Sequence, residues 1–259
     1  MDSVIAALPF AAALFFGMLA CLEIGRRMGI RRIAKDPEGA MAGLGTTEGA
    51  VFALFGLLVA FTFSGAPARL DTRRQLIAEE ANAIGTAYLR LDLLPDESQP
   101  ALRELFRRYL DSRLDVYRKI PDMDAVKAEL SKSAKIQKDI WTRAVAGSRM
   151  PDAHPDTARL LLPALNEMID ITTTRTMAAR IHPPKIVFRL LFILALVCSL
   201  LAGFGMAGSK QRSWLNILAF AAITVITAYV ILDIEYPRIG LIRMDAYDQV
   251  LMDLREDLK

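Results

Sequence analysis

The segment GAVFALFGLLVAFTFSGA, residues 49–66, is mostly apolar and contains no charged side chain. Three similar uncharged runs lie at residues 3–22, 190–207 and 213–232. As an α-helix, a run of about 20 residues crosses the roughly 30 Å of hydrocarbon in a bilayer. A soluble protein has no use for four such segments. The sequence therefore predicts an all-α polytopic membrane protein with four transmembrane helices.

The remaining composition excludes several other classes of protein. The chain has 259 residues, with 32 Lys+Arg and 29 Asp+Glu, and the resulting net charge of +3 is too small and dispersed for a nucleic-acid-binding protein. Cys21 and Cys198 both lie within apolar runs, which argues against a disulfide framework or a metal cluster. A secretion signal is also not expected, because no basic residue precedes Arg26; the first run is interpreted as a retained helix.

The distribution of charge predicts four successive parts. Residues 1–66 hold transmembrane helices 1 and 2 with a basic hairpin between them, and residues 67–185 form a highly charged block. Residues 186–232 hold helices 3 and 4, and residues 233–259 form a charged tail. The plan is a polar domain inserted between two pairs of membrane spans.

The inserted block is predicted to be a helical bundle. Apolar residues between Ile77 and Leu91 recur at helical spacing, and no segment alternates for long enough to form a strand. Helix breaks are expected at Leu94-Pro95, at Pro121, within 147–155 and at His182-Pro183-Pro184, because proline removes a backbone donor and restricts the preceding residue. The third helix of the block is expected to begin near Asp124. Asp245 is expected to cap an amphipathic helix in the tail.

No pattern in the sequence indicates catalysis or a cofactor. Residues 203–208, GFGMAG, match the dinucleotide fingerprint, but that motif functions only between a strand and a helix. Here it lies at the exit of a membrane helix, where glycine permits close packing and a turn. His154 and His182 each precede proline and have no second ligand at helical spacing, so no zinc site is expected. The protein is predicted not to be an enzyme.

Paired carboxylates in the inserted block have two possible uses. Glu79-Glu80 together with Glu167 and Asp170 have the charge to hold a metal across two helices, but the Glu–His pairing of di-iron bundles is missing. Ion pairing is the favoured interpretation, with three arginines as possible partners: Arg90, Arg175 and Arg180.

The second span carries two stripes of residues. Small residues share one face and would let a neighbouring helix approach closely: Gly49, Ala53, Gly56, Ala60 and Ser64. An apolar stripe lies beside it: Phe52, Phe55, Val59 and Phe63. This stripe either packs against protein or lipid, or forms a hydrophobic constriction where several copies of the helix surround an axis.

Three carboxylates lie near the ends of predicted spans. Glu48 would lie at the mouth of such a pore. Asp233 and Glu235 follow the fourth span, where solvation at the interface explains them, and contact with ions is the alternative. These three carboxylates would favour cations at the pore mouth. Three arginines at the entrance of the domain would favour anions, so the sequence predicts no ion selectivity: Arg69, Arg73 and Arg74.

Several stretches resemble a bacterial membrane family of unknown function labelled bestrophin-like. They are Glu48–Val51, Phe61–Ser64, Asp71–Arg74, Glu80–Arg90, Leu165–Glu167 and the pair Pro237 and Gly240. The resemblance covers essentially the whole chain. It implies the architecture of the bestrophin ion channels, which are pentamers with two helices, a helical domain, two more helices and a tail.

The resemblance also implies a role for the second helix. The pore neck of bestrophins comes from apolar residues at a spacing of four, a spacing that Phe55, Val59 and Phe63 reproduce. The expected protein is therefore an oligomeric ion channel whose partners are the bilayer, permeant ions and further copies of itself, most simply as a pentamer. The tail lacks a calcium-binding acidic cluster, so calcium gating is not expected. The alternative is a non-conducting sensor or scaffold whose bundle binds a ligand or partner.

The side of the membrane that holds the bundle is weakly determined. Basic residues near the spans are balanced between the two sides, and the first helix alone would place the hairpin from Arg26 to Lys35 in the cytoplasm. The bestrophin architecture instead places the bundle and both termini there. A multi-pass protein of the inner membrane with a cytoplasmic bundle is the favoured arrangement.

Overall fold

The computed structural model describes residues 7–36, 44–209, 212–238 and 240–258. These residues are mostly helical and include no strand, which confirms the all-α class. Four helical stretches are long and apolar enough to cross a membrane, as the uncharged runs predict. The described α-helices are α1 Ala7–Lys35, α2 Leu44–Leu89, α3 Gln99–Arg118, α4 Met123–Gly147, α5 Thr157–Arg180, α6 Lys185–Gly205, α7 Trp214–Glu235 and α8 Asp245–Asp257.

The chain divides into two compact units. The membrane unit comprises Asp2–Ala68 and His182–Tyr236, and the bundle unit comprises Arg69–Ile181 and Pro237–Lys259. The boundary between the units therefore falls within α2. The tail helix α8 belongs to the bundle unit.

In the membrane unit, glycines let α1 and α6 approach at backbone distance. A Cβ atom placed on Gly203 would lie 2.0 Å from the carbonyl oxygen of Leu22. A Cβ atom on Gly25 would lie 1.9 Å from the carbonyl oxygen of Leu200. Any larger residue at these positions would push the two helices apart. Close backbone approach of this kind stabilises helix pairs in lipid, where van der Waals contact replaces the hydrophobic effect.

An apolar core joins the spans of the membrane unit. Leu14 and Met18 from α1 are buried with Ala195 from α6 and Ala221 from α7. Large side chains pack around these four residues and include Phe10, Phe15, Phe55, Phe192 and Phe220. The core therefore combines small residues at its centre with aromatic rings around it, and none of these side chains is polar.

In the bundle unit, the helices end close to the predicted breaks. α2 passes into a 3₁₀ turn at Arg90–Leu93 before Pro95, and α3 ends at Arg118 ahead of Pro121. α5 ends at Arg180, and α6 begins only at Lys185, so the His-Pro-Pro sequence interrupts the chain as expected. Proline cannot supply the backbone donor that would continue these helices.

α4 begins at Met123, close to the predicted start near Asp124, whereas the predicted cap of the tail helix is wrong. α4 is capped by Asp122, whose carboxylate accepts hydrogen bonds from the backbone N–H groups of Asp124 and Ala125 at 3.1 and 3.0 Å. Both aspartates satisfy the sequence pattern, but only the residue before the first turn reaches those amides. α8 begins at Asp245 and is preceded by Met244, so Asp245 is the first residue of the helix and not its cap.

Helix α8 docks on the bundle through its predicted apolar stripe. Leu251 is fully buried, and Leu254 lies 3.5 Å from the position that a Cβ atom on Gly85 would occupy. At the rim, the Arg255 guanidinium donates to both carboxylate oxygens of Asp111, at 2.7 and 3.1 Å. The tail is therefore part of the bundle's packing.

Candidate pore-lining helix

Within the membrane unit, one face of α2 packs against other spans of the same chain. The Phe52 ring lies 5.9 Å from the ring of Phe220 in an edge-on arrangement, and Phe55 packs against the buried core. Val59 lines a cavity beside that core. Three of the four residues proposed for a pore neck thus face their own chain. The fourth, Phe63, is 43% exposed.

The small-residue stripe of α2 has no close neighbour. All five of its members are exposed: Gly49, Ala53, Gly56, Ala60 and Ser64. Among the described residues, no atom lies within 4 Å of a Cβ atom placed on Gly49 or Gly56. The stripe therefore makes no intrachain seam like that of α1 and α6, and it is available to another copy of the chain.

The close packing expected of the glycines in residues 203–208 is present at Gly203, but sequence reasoning missed the glycines of α1 that face α6. Gly25 and Gly29 on α1 are spaced by four, and so are Gly203 and Ala207 at the end of α6. A Cβ atom on Gly29 would lie only 2.4 Å from the Cβ of Ala207. The small-x-x-x-small spacing was the available signal. The residues of the apparent nucleotide fingerprint lie at the end of α6 and in the 3₁₀ turn Met206–Gly208.

Apolar side chains also project from the outward face of α2. Leu57 is 52% exposed, and Phe61 is 68% exposed. With Ala53 they form a row at a spacing of four, so the three share one side of the helix. We call these three residues the outer row; it shares Ala53 with the small-residue stripe and runs along that stripe's outer edge.

The carboxylates near the span ends lie in different surroundings. Glu48 Oε1 is buried and has no hydrogen-bond partner in the described part of the chain. The Glu48 carboxylate packs against α6, because its Oε2 lies 3.2 Å from the position that a Cβ atom on Gly205 would occupy.

The carboxylates at the end of α7 are buried. Glu235 is fully buried, and its Oε1 lies 2.9 Å from Nδ1 of His182. The His182 ring stacks on Tyr236 with centroids 4.5 Å apart. Asp233 is also buried. Simple solvation at a helix end therefore does not describe Asp233 or Glu235.

The bundle unit contains a buried ion cluster. Glu80, from α2, is fully buried and accepts hydrogen bonds from Arg113 Nε, at 2.5 Å, and from Arg175 Nη1. Ion pairing is therefore the use that Glu80 has, with Arg175 from the three possible partners, and Arg113 is a partner that the sequence did not reveal. Arg113 Nη2 also donates to the hydroxyl of Tyr117 at 2.9 Å.

The pKa values of the groups in this cluster are set by burial and by the charge of Glu80. Burial alone lowers the pKa of Arg113, but the surrounding tyrosines and the charge of Glu80 outweigh it and raise the pKa above its usual value. Burial raises the pKa of the Tyr109 phenol to about 12. These groups therefore keep one charge state across the physiological range, as in a structural ion cluster.

The described residues offer little for metal or acid–base chemistry. No group of three or more His, Cys, Asp or Glu side chains is arranged to hold a metal ion in these parts of the chain. His154 Nδ1 accepts a hydrogen bond from the backbone N–H of Asp156 at 3.2 Å, which is a local turn contact. The features that remain for function are the faces of α2 and the carboxylates beside the spans.

Comparisons with known proteins agree on one architecture. A family model described as "Bestrophin-like domain" matches residues 30–245. The fold is similar to a crystal structure of a bacterial bestrophin homologue from Klebsiella pneumoniae that carries a tyrosine-to-alanine mutation, with a TM-score of 0.59 and 14% identity. That match covers 94% of this chain and 97% of the other. No curated protein matches the chain.

Proposed function

Because the chain belongs to the bestrophin-like family, we propose that it is an ion channel in which several copies surround an axis lined by α2. The observation that carries the proposal is the outward face of α2. That face is apolar, its small residues are exposed, and no described atom lies within 4 Å of a Cβ placed on Gly49 or Gly56. Further copies of the chain supply such a neighbour in a closed cyclic ring. A pentamer of about 140 kDa is the assembly that the family resemblance favours.

We place the narrowest part of the pore at the outer row. A side chain that faces a central axis is not covered by its own chain, and Leu57 and Phe61 meet that condition. Rings of such side chains hinder ions by excluding water from a narrow passage. The set chosen from sequence, Phe52, Phe55, Val59 and Phe63, stays the competing assignment. It requires α2 to turn about its axis when the ring assembles.

The remaining assignments follow from the same arrangement. Glu48, near the start of α2, is proposed to lie at one mouth of the pore, with Asp233 and Glu235 at the other end of the membrane unit's spans. The bundle is proposed to lie in the cytoplasm, as the family resemblance favours. A non-conducting sensor remains the alternative function, and the experiment below separates it from a channel.

We expect the double variant Leu57→Ala/Phe61→Ala to raise ion flux into liposomes about tenfold, because shortening both rings widens and wets the neck. Purified protein would first be sized by light scattering in detergent. The matched control is Phe55→Ala/Val59→Ala, which removes a similar side-chain volume from the side of α2 that packs inward. Ile226→Ala, at an exposed position of α7, controls for lipid-facing substitutions.

Each outcome of this experiment has a distinct meaning. A rise in flux confined to Phe55→Ala/Val59→Ala would restore the neck chosen from sequence. A monomer or dimer by light scattering would rule out the ring and favour the sensor. No flux above empty liposomes for any variant, with an intact ring, would rule out conduction.

A further inference from the structure

The membrane unit contains a cavity of about 220 Å³ between its four spans. Leu14 of α1, Phe55 and Gly56 of α2, Phe192 of α6 and Ala228 of α7 are among the residues that line it. It therefore lies on the inward side of α2, behind the outer row. Empty apolar cavities of about 150 Å³ already accommodate guests such as benzene, so this space is large enough for a ligand.

The chemistry of the lining excludes a polar ligand. The only hydroxyl groups among the lining residues belong to Thr224 and Thr227. Each donates to a carbonyl one turn earlier in α7, Phe220 and Ile223 respectively, at 2.9 Å. Among the described residues, no charged side chain lines the cavity. Water would find too few partners there, so the space either stays empty or holds an apolar group.

The cavity is continuous with the apolar outer surface of the spans. Ile223 of α7, which lines the cavity, is 65% exposed. The surface around this opening consists of helix segments that are apolar enough to lie in hydrocarbon. Hydrocarbon chains of lipids are the apolar solute available at that surface.

We propose that this cavity is a binding site for one acyl chain of a membrane phospholipid. The chain fills the space between α2 and the pair α6 and α7 and gains van der Waals contacts that an empty space would forfeit. Because Phe55, Gly56 and Val59 line the cavity, its occupant supports the inward face of α2. The proposal concerns binding alone and holds whether or not the protein conducts ions.

Quenching of a single tryptophan by brominated lipid tests the proposal. Trp141 and Trp214 are replaced by Phe in the full-length chain, and Phe192→Trp places a reporter in the cavity wall. Ile193→Trp, at the neighbouring exposed position, is the control that faces the bilayer. Both variants are reconstituted into vesicles of phosphatidylcholine brominated in the middle of one acyl chain. Ala228→Phe fills the cavity, and Gly56→Leu is a second filling variant.

We expect Phe192→Trp to be quenched to within about twofold of Ile193→Trp, because both indoles contact acyl chains. Adding Ala228→Phe or Gly56→Leu should lower the quenching of Phe192→Trp at least about threefold and leave that of Ile193→Trp unchanged, since the filled cavity offers no contact surface. Circular dichroism of each variant confirms that the helices are retained.

Three results would overturn the proposal. An unquenched Phe192→Trp would mean that the cavity is empty or covered by another copy of the chain. Quenching by a brominated detergent but not by brominated phospholipid would mean an adventitious additive only. Quenching that persists equally in both filled variants would mean that lipid reaches the indole from outside the cavity. None of these results depends on ion flux, so they are distinct from a failure of the channel proposal.

Discussion

Glu80→Gln is expected to destabilise the protein by about 3–5 kcal/mol, because it leaves two buried guanidinium groups without a counter-charge. Arg113 and Arg175 are 1% and 6% exposed at their side chains, and both bind the Glu80 carboxylate. Breaking one partner of a buried ion pair costs more than the pair contributes, since the remaining charge stays desolvated. Trp141, on α4 of the bundle unit, reports unfolding in denaturant once Trp214 is replaced by Phe.

The neighbouring residue provides a matched control. Glu79 is exposed and accepts a hydrogen bond from Gln75 at 3.0 Å. Glu79→Gln removes the same charge from the same helix and should change the free energy of unfolding by less than about 0.5 kcal/mol. Equal effects of the two substitutions would show that the cluster is not a buried ion pair.

Gly203→Ala is expected to destabilise the membrane unit by about 3 kcal/mol, because the added methyl group overlaps the backbone of α1. The new Cβ would lie 2.0 Å from the carbonyl oxygen of Leu22, and neither backbone can move without opening the seam. The loss is measured as a lower midpoint of unfolding in mixed micelles. It should also appear as a smaller yield of folded protein.

Gly49→Ala is the control, and we expect it not to lower the free energy of unfolding. Gly49 lies on α2, and its Cβ would meet no atom within 4 Å in the described chain. Alanine favours a helix over glycine by about 1 kcal/mol, so the variant should be neutral or slightly more stable in the isolated chain. Destabilisation by Gly49→Ala in monomeric protein would mean that α2 packs more closely within the chain than its surroundings indicate.

The sequence alone was enough for the elements of the fold. The uncharged runs located the spans, and prolines located the ends of α2, α3 and α5. Both signals are local, because they depend on residues adjacent in sequence and not on contacts between distant parts of the chain. The tail helix followed from its amphipathic stripe. Charge alone predicted ion pairing for these carboxylates with Arg175 as one possible partner, whereas the role of Arg113 depends on how α3 packs in three dimensions. The predicted cap of α8 was one residue too late, because the helix begins at Asp245 itself and Met244 precedes it.

The orientation of α2 could not be predicted from its sequence. Helical spacing gives the angle between Phe55 and Leu57, but it does not tell which of them faces the rest of the chain. In the structure that choice follows from the contact of Phe52 with Phe220, a residue far away in the sequence. The same limit applies to small residues, because those on α1 and on α2 carry the same spacing signal and only α1 forms a close seam within the described chain.

The most direct test of the proposed channel is block of ion flux by a thiol reagent at single cysteines on α2. In a background with Cys21 and Cys198 replaced by Ala, Leu57→Cys and Phe55→Cys would be reconstituted separately and treated with a charged, membrane-impermeant methanethiosulfonate. If α2 lines the axis with its outer row, the reagent should reduce flux through Leu57→Cys about tenfold and leave Phe55→Cys unchanged, because only the former side chain faces the passage that ions cross. Flux that is unaffected at both positions, in protein that assembles and conducts, would contradict a pore lined by α2.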